Sequence, residues 1–90
     1  MIARRITIRG QVQGVGFRYA LADEARARSL RGWVRNRRDG SVEAVVAGPE
    51  ADVEAVITWA RHGPPAARVT RIAVEPAATD VAEFEIVSTA

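Results

Sequence analysis

The segment from Gly10 to Arg18 combines residue types that could bind an anion. Gly14 and Gly16 permit backbone conformations that direct successive N–H groups into one concavity. No Ser, Thr, Asp or Asn stands directly before Phe17, where a helix is expected to begin, so its first amides lack an obvious side-chain acceptor. A helix N-terminus favours negative charge, and the planar guanidinium of Arg18 could hold two phosphate oxygens. Glycine spacing alone is a weak signal, and a glycine-rich connection beside a solvated arginine is the alternative.

The second candidate is Asn36, which lies between a predicted strand at residues 33–36 and a predicted hairpin turn at residues 38–41. Asp39 is interpreted as a turn former rather than an acid, because Asp-Gly tolerates the positive φ angles of hairpin turns. Asn also commonly forms turns, but its neutral amide offers one acceptor and two donors that could hold a water molecule. Pairing of the strand could bring Asn36 beside the glycine-rich loop.

Hydrophobic periodicity predicts the elements that position these two segments. The predicted order is strand 5–9, helix 17–30, strand 33–36, strand 42–47, a helix after Gly48-Pro49, strand 68–75 and strand 83–87. This β-α-β-β-α-β order with a short final strand predicts an α+β, ferredoxin-like split βαβ sandwich. In that fold, an antiparallel sheet carries both helices on one face.

The apolar positions of these elements predict the core. Strict alternation places two isoleucines of the first strand inward, and i, i+3, i+4 spacing gives each helix one apolar stripe. The expected core positions are Ile6, Ile8, Phe17, Leu21, Ala25, Val53, Val56, Ile57, Ala60, Phe84 and Ile86. Tyr19 could border the glycine-rich loop, but we expect it to pack against the protein instead. The strand at 42–47, apolar on both faces, is expected to be central.

Size and composition restrict the function classes. Ninety residues suffice for one domain, taken as residues 1–90, with a single modest core. The chain has no cysteine and one histidine, His62, which excludes disulfides and thiol chemistry and makes a zinc site improbable. No apolar run approaches the roughly 20 residues of a membrane span, and no signal peptide pattern opens the chain. We therefore expect no metal, no membrane partner and a cytoplasmic location.

All thirteen cationic side chains are arginines, and they are unevenly distributed. Residues 1–38 contain ten arginines and two acids, whereas residues 39–90 contain three arginines and nine acids. This asymmetry indicates either an anionic partner or pairing between the two halves. One expectation from pairing is that Arg5 and Arg9 face Glu83 and Glu85 on the helix-free face of the sheet.

An RNA-binding module is the main alternative from a different functional class. Such a module needs stacking aromatic side chains on the central strands of its open face. The strand at 5–9 presents Arg5, Thr7 and Arg9 outward, and the strand at 42–47 contains no aromatic residue. We therefore expect no nucleic-acid partner.

Both candidate segments resemble the two signatures of the acylphosphatase family. The resemblance rests on two segments, Gln11 to Arg18 (Gln-Val-Gln-Gly-Val-Gly-Phe-Arg) and Gly32 to Gly40 (Gly-Trp-Val-Arg-Asn-Arg-Arg-Asp-Gly). Gly48-Pro49, the stretch from His62 to Ala66 and Phe84-x-Ile86 match as well, so the resemblance covers nearly the whole chain. It implies hydrolysis of the carboxyl–phosphate bond of small acyl phosphates to a carboxylate and inorganic phosphate. No cofactor, metal or covalent enzyme intermediate is implied.

The resemblance also implies residue roles. Arg18 and Asn36 would be catalytic, with Arg18 binding the phosphate and Asn36 positioning the attacking water. The implied substrate-binding residues, chiefly through their backbone amides, are Gln13, Gly14, Val15, Gly16, Phe17 and Arg18. A monomer is the default for this family, and its implied partners are an acyl phosphate and the phosphate product. A non-catalytic or specialised domain of this type, as occurs within larger carbamoyl-transferring maturation proteins, is the third interpretation; the short chain argues against that fused version.

Overall fold

Five strands and two helices build the protein in the predicted order. The computed structural model describes residues 1–90. The elements are β1 (Ile2–Gln11), α1 (Phe17–Ala27), β2 (Arg31–Asn36), β3 (Val42–Gly48), α2 (Glu50–Ala60), β4 (Arg68–Pro76) and β5 (Phe84–Ile86). They form one five-stranded sheet in the order β4-β1-β3-β2-β5. The predicted α+β, ferredoxin-like arrangement is confirmed, with the strand at 42–47 at the centre of the sheet. Neither helix is long and apolar enough to cross a membrane.

The direction of the last strand differs from the expected antiparallel sheet. The pairs β1–β3, β1–β4 and β2–β3 are antiparallel, whereas β5 runs parallel to β2 over three residue pairs, from Gly32 with Phe84 to Val34 with Ile86. The sheet is therefore mixed. The reason is topological: β4 and β2 run in opposite directions, so a strand that reverses after β4 and reaches the far edge lies parallel to β2.

The core lies between the sheet and both helices. Ile6 and Ile8 of β1 are fully buried, and so are the stripes of α1 (Phe17, Leu21 and Ala25) and α2 (Val53, Val56, Ile57 and Ala60). All these residues belong to one contiguous apolar cluster, which places both helices on the same face of the sheet. Burying one large apolar side chain contributes roughly 1.5–3 kcal/mol, so this cluster provides most of the stability that positions the loops.

The first helix ends earlier than the sequence pattern predicts. Helix α1 stops at Ala27 because Ser29 adopts a left-handed conformation with φ of 56°. The N–H of Leu30 then donates to the carbonyl of Ala25 and the N–H of Ser29 to that of Arg26, at 2.9 and 3.0 Å, which is a Schellman-type termination. Gly32, which lies between the predicted helix at 17–30 and the predicted strand at 33–36, belongs to β2.

Candidate active site

The loop between β1 and α1 provides an uncapped helix N-terminus. Gly16 is the N-cap residue of α1 with φ of 79°, and no side chain caps the helix. Gly14 has a similar φ of 75°, and a Cβ at either glycine would meet no atom within 4 Å. These positions therefore need glycine for backbone conformation rather than for space. The first amides of α1 are left without a side-chain acceptor, as the sequence predicts, and favour an anion there.

Phe17 fixes the orientation of this helix start. Its side chain is only 1% exposed and its ring packs edge-on against Trp59 of α2, with ring centres 5.5 Å apart. Gly63 follows α2 at φ of 70°, and a Cβ there would collide with the Phe17 ring. The helix N-terminus is thus held by contacts in the core rather than by the loop itself.

Arg18 is a cation without an anionic partner in the protein. Its side chain is half-buried in the first turn of α1 and takes part in none of the ion pairs or hydrogen bonds of the structure. The guanidinium carbon lies 5.7 Å from the centre of the Tyr19 ring, near the outer limit of a cation–π contact. Arg18 is therefore available to an anionic ligand.

Asn36 contributes a buried polar atom without a partner. It is the last residue of β2, and its side-chain Oδ1 is buried and accepts no hydrogen bond from the protein. Its backbone is well held, because the carbonyl of Asn36 accepts from the N–H of Ala90 at 3.0 Å. Leaving a buried acceptor unpaired costs about 1–3 kcal/mol, so such an atom calls for an explanation, and a functional role is one of those available. Asn36 is therefore a candidate functional residue.

One cavity brings these features together. It has a volume of about 160 Å³ and is lined by Val12, Gly14, Gly16, Phe17, Arg18, Tyr19 and Asn36. This volume is several times the roughly 30 Å³ that one water molecule occupies in the liquid, so the cavity has room for a phosphate group. Arg18, the uncapped start of α1 and Asn36 therefore line a space that can hold a phosphate.

The predicted site residues fall into two groups in space. Gly14, Gly16, Phe17, Arg18 and Asn36 line the cavity, whereas Gln13 and Val15 lie beside it. Val15 packs against the apolar core, and the side-chain amide of Gln13 faces the hairpin.

Two cavity-lining residues lie outside the predicted set. They are Val12 and Tyr19, and Tyr19 is 62% exposed at the rim, so the expectation that it packs is wrong. The apolar i, i+4 stripe of α1 starts at Phe17, so Tyr19, two positions later, lies on the side of the helix away from the core. That spacing could have predicted the exposure of Tyr19.

A larger cavity of about 420 Å³ lies beside β5, away from this site. Its lining includes Arg26, Ser29, Glu83 and Phe84. Unlike Arg18, Arg26 is already engaged, since its Nε and Nη2 donate to the carbonyl of Phe84 at 3.2 and 2.9 Å. Volume alone therefore does not identify the chemical site, and we assign it to the smaller cavity.

Most other arginines near the hairpin are neutralised on the helix-free face of the sheet. The carboxylate of Glu43 is 4% exposed and lies 2.8 Å from Arg35, 3.6 Å from Arg37 and 4.0 Å from Arg5. Arg35 also covers the ring of Trp33, with its guanidinium carbon 4.7 Å from the ring centre. We call these four charged residues (Arg5, Arg35, Arg37 and Glu43) the Glu43 cluster.

The expected pairing of Arg5 and Arg9 with the C-terminal acids is wrong. Arg5 pairs with Glu75 at 3.2 Å, and Arg9 pairs with Asp39 at 3.4 Å. The reason is the strand order, which places β5 at the edge of the sheet with β3 and β2 between it and β1. Glu83 and Glu85 are therefore out of reach.

Asp39 shapes the hairpin turn, as predicted. Its Oδ1 accepts hydrogen bonds from the Ser41 hydroxyl at 2.6 Å and from the Ser41 N–H at 2.9 Å. These bonds, with smaller contributions from the charges of Arg9 and Arg37, lower the pKa of Asp39 from 3.8 to about 2. Asp39 is consequently ionised at neutral pH and has no proton to donate.

The structure contains no group of three or more His, Cys, Asp or Glu side chains that could hold a metal ion. The single histidine, His62, is exposed in the segment after α2. The polar side chains that line the cavity are those of Arg18, Tyr19 and Asn36.

Sequence comparison identifies relatives over nearly the whole chain. A model of the acylphosphatase family matches residues 4–86. The acylphosphatase of Burkholderia vietnamiensis strain G4 is 57% identical over 70 residues, which cover 78% of this chain and 71% of that protein. The acylphosphatase of Azoarcus sp. strain BH72 is 53% identical over 90 residues, covering 99% and 92% of the two chains.

Structure comparison gives the same family. The crystal structure of acylphosphatase from Bacillus subtilis matches with a TM-score of 0.91 at 42% identity, covering 97% of this chain and 99% of that one. Full-length HypF, in a phosphate- and nucleotide-bound form, matches with a TM-score of 0.89 at 35% identity, covering 98% of this chain but 12% of HypF. The same fold thus occurs both as nearly a whole chain and as a small part of a larger protein.

Proposed function

Because this chain belongs to the acylphosphatase family, whose activity is the hydrolysis of acyl phosphates, we propose that its site works through two residues and one loop. The phosphoryl group of a small acyl phosphate is held by the amides of residues 13–18 and by Arg18, and Asn36 positions the attacking water. The observation that carries this proposal is the shared cavity, which is lined by the uncapped start of α1, by Arg18 without an ion pair and by Asn36 with its unpaired amide oxygen.

Phosphate binding in this proposal depends on fixed donors. The N–H groups at the start of α1 and the guanidinium of Arg18 offset the negative charge of the phosphoryl oxygens. Because the loop is anchored by buried Phe17, these donors need little reorganisation when charge shifts in the transition state. Arg18 is expected to serve both binding and rate.

Water positioning falls to Asn36 because its Oδ1 can accept a hydrogen bond from a water molecule in the cavity. A neutral amide is not a base at neutral pH, so its contribution is orientation toward phosphorus. The water oxygen forms a bond to phosphorus while the bond from phosphorus to the carboxyl oxygen breaks, and the carboxylate leaves with the electron pair. The water protons pass to phosphate oxygens and solvent. A carboxylate is a good leaving group, so no general acid is required, and phosphoryl transfer depends mainly on positioning and charge stabilisation.

The experiment that tests this function is steady-state hydrolysis of benzoyl phosphate with and without a chelator such as EDTA. We expect turnover to persist in the chelator, because the proposed charge stabilisation comes from Arg18 and backbone amides rather than from a metal. Inorganic phosphate should inhibit competitively. Absence of turnover would contradict the catalytic proposal and favour a specialised, non-hydrolytic domain. Loss of turnover in EDTA with recovery on adding a divalent cation would contradict metal independence.

The proposal also limits the partners to the acyl phosphate and the phosphate product, with a monomeric protein in the cytoplasm. The absence of an RNA partner is supported by the helix-free face of the sheet, which offers no free aromatic ring for base stacking. Trp33 is the one aromatic side chain on that face, and Arg35 covers it. RNA affinity measured against salt concentration tests this limit. Sub-micromolar binding with a steep logarithmic salt slope would contradict it. Sedimentation analysis tests the monomer.

A further inference from the structure

The side chain of Gln13 joins the two halves of the candidate site. Its Nε2 donates to the carbonyl of Arg37 at 2.6 Å and to the carbonyl of Ser41 at 2.9 Å. Arg37 directly follows Asn36, and Gln13 directly precedes the first glycine of the loop. The bonds therefore connect the phosphate loop with the residue that follows the proposed water holder.

These two bonds are the only hydrogen bonds between residues 12–16 and residues 36–41. Buried Val12 and Phe17 hold the two ends of the loop in the core, while Asn36 is held through its carbonyl by Ala90. The pairing of β1 with β3 and the exposed Arg9–Asp39 ion pair connect the hairpin to the strand before the loop. Gln13 alone connects the hairpin by hydrogen bonds to the loop itself.

Gln13, although exposed, connects the two segments through both donors of its side chain. The carbonyls of Arg37 and Ser41 each already accept one hydrogen bond inside the hairpin, from Gly40 at 3.1 Å and from Arg37 at 2.8 Å. Each carbonyl has two lone pairs, and the two N–H groups of Gln13 occupy the second of each. Both donors of the side chain are thereby used, so none is left for a phosphate.

We propose that Gln13 is a positioning residue that fixes the distance between the phosphate loop and Asn36. This inference rests on the proposed function of the site. Gln13 acts through its side chain on the alignment of water and phosphorus, and leaves phosphate binding to the backbone amides and Arg18. A displacement of one ångström in such an alignment is enough to reduce a rate by up to about 100-fold.

The test is a double-mutant cycle with benzoyl phosphate. Gln13→Met keeps most of the shape of the side chain and removes both donors, whereas Asn36→Ala removes the water acceptor. We expect Gln13→Met to lower kcat about tenfold in the otherwise natural protein and less than about twofold in the Asn36→Ala background, because two residues that act on one step are non-additive. The inhibition constant of inorganic phosphate should change less than about twofold.

Gln11→Met is the matched control. Gln11 is exposed at the end of β1, two residues earlier, and its side chain makes no hydrogen bond. It should leave kcat unchanged, and the Tm of both single Gln variants should be compared with the natural protein. A merely structural role of Gln13 would lower Tm and active fraction without altering kcat per active molecule.

Three results would overturn the inference. They are an equal kcat loss with and without Asn36, an increase in the phosphate inhibition constant as large as the loss in kcat, and a kcat that does not change. If the proposed function itself is wrong, the natural protein does not hydrolyse benzoyl phosphate at all, and this distinguishes that outcome from the three results above. A natural protein that turns over, with Asn36→Ala impaired and additive effects in the cycle, rejects only the role of Gln13.

Discussion

The Glu43 cluster and the start of α1 both contain arginine, but the arginine side chains of the two regions differ in their partners. In the Glu43 cluster, Arg5, Arg35 and Arg37 share one buried carboxylate at distances of 2.8 to 4.0 Å. At the start of α1, Arg18 has no acid within ion-pair distance and faces a cavity with backbone amides. The residue type is the same, but one region satisfies its charges internally while the other leaves a charge for a ligand.

The difference shows why the count of arginines says little about function. A buried carboxylate needs cations around it, because an unpaired charge in the interior is strongly unfavourable. The arginines of the Glu43 cluster thus serve the fold. Arg18 has no ion pair or side-chain hydrogen bond in the protein, so its guanidinium is free to bind an anion.

Among the substitutions that test this difference between the two regions, Arg18→Ala is expected to have the largest effect. Removal of the cation from the phosphate should lower kcat/KM for benzoyl phosphate roughly 1000-fold or more. The free energy of unfolding should change by less than about 0.5 kcal/mol, because the side chain has no partner in the protein. Arg5→Ala is the control, for which kcat/KM should stay within about threefold. Comparable activity losses in both variants would erase the distinction between the two regions.

Asn36→Ala is expected to have the next largest effect. Loss of the water acceptor should reduce kcat about 100-fold, while the inhibition constant of inorganic phosphate changes only slightly. The free energy of unfolding should stay the same or rise by up to about 1 kcal/mol, because the substitution removes an unpaired buried acceptor. Urea unfolding and phosphate inhibition check the two expectations. A variant with natural kcat would reject the assigned role.

Glu43→Gln should damage the fold and spare the chemistry. It removes the carboxylate that the three arginines share and should lower the free energy of unfolding by about 2 kcal/mol, less than for a fully buried pair because the arginines are partly exposed. The activity of the folded fraction should be unchanged. Glu85→Gln, exposed at β5 and without an ion pair, is the control for loss of one acidic charge. A large fall in kcat with unchanged stability would mean that the Glu43 cluster belongs to the site.

The smallest effect is expected from the pH dependence of Asp39. Its pKa is about 2 in the folded protein against an ordinary value of 3.8, so the folded state binds its proton less readily. The resulting stabilisation is present above about pH 4 and is lost as the pH falls toward 2. Asp39→Asn should therefore reduce the slope of unfolding free energy against pH between 2 and 4. Asp80→Asn, at an exposed position, is the matched control, and identical slopes for both would contradict the assignment.

Local patterns predicted most of the fold, because the periodicity of apolar residues within one strand or helix shows which of its faces is buried. The alternation around Ile6 and Ile8 and the stripe from Val53 to Ala60 both point to buried faces, and both are buried. The end of α1 and the direction of β5 were not predictable in this way. The former depends on one left-handed residue, Ser29, and the latter on which edge of the sheet the chain reaches.

The local features of the candidate site could be predicted from the sequence. They are the two glycines, the helix start without a capping side chain and the arginine in its first turn, and each depends on consecutive residues. The resemblance to the acylphosphatase family added the role of Asn36, which spacing alone left as one of two interpretations.

The sequence by itself determined the elements, the apolar core positions and a loop suited to an anion, because these depend on periodicity and on residues next to one another. Only the tertiary structure decided that Arg18 has no ion pair, that the amide oxygen of Asn36 stays unpaired and that Gln13 joins loop to hairpin. Those outcomes depend on strand order and register, which place Arg35 opposite Glu43 and Gln13 beside Arg37. Charges and hydrogen bonds are satisfied between residues far apart in the chain, so no local pattern records them.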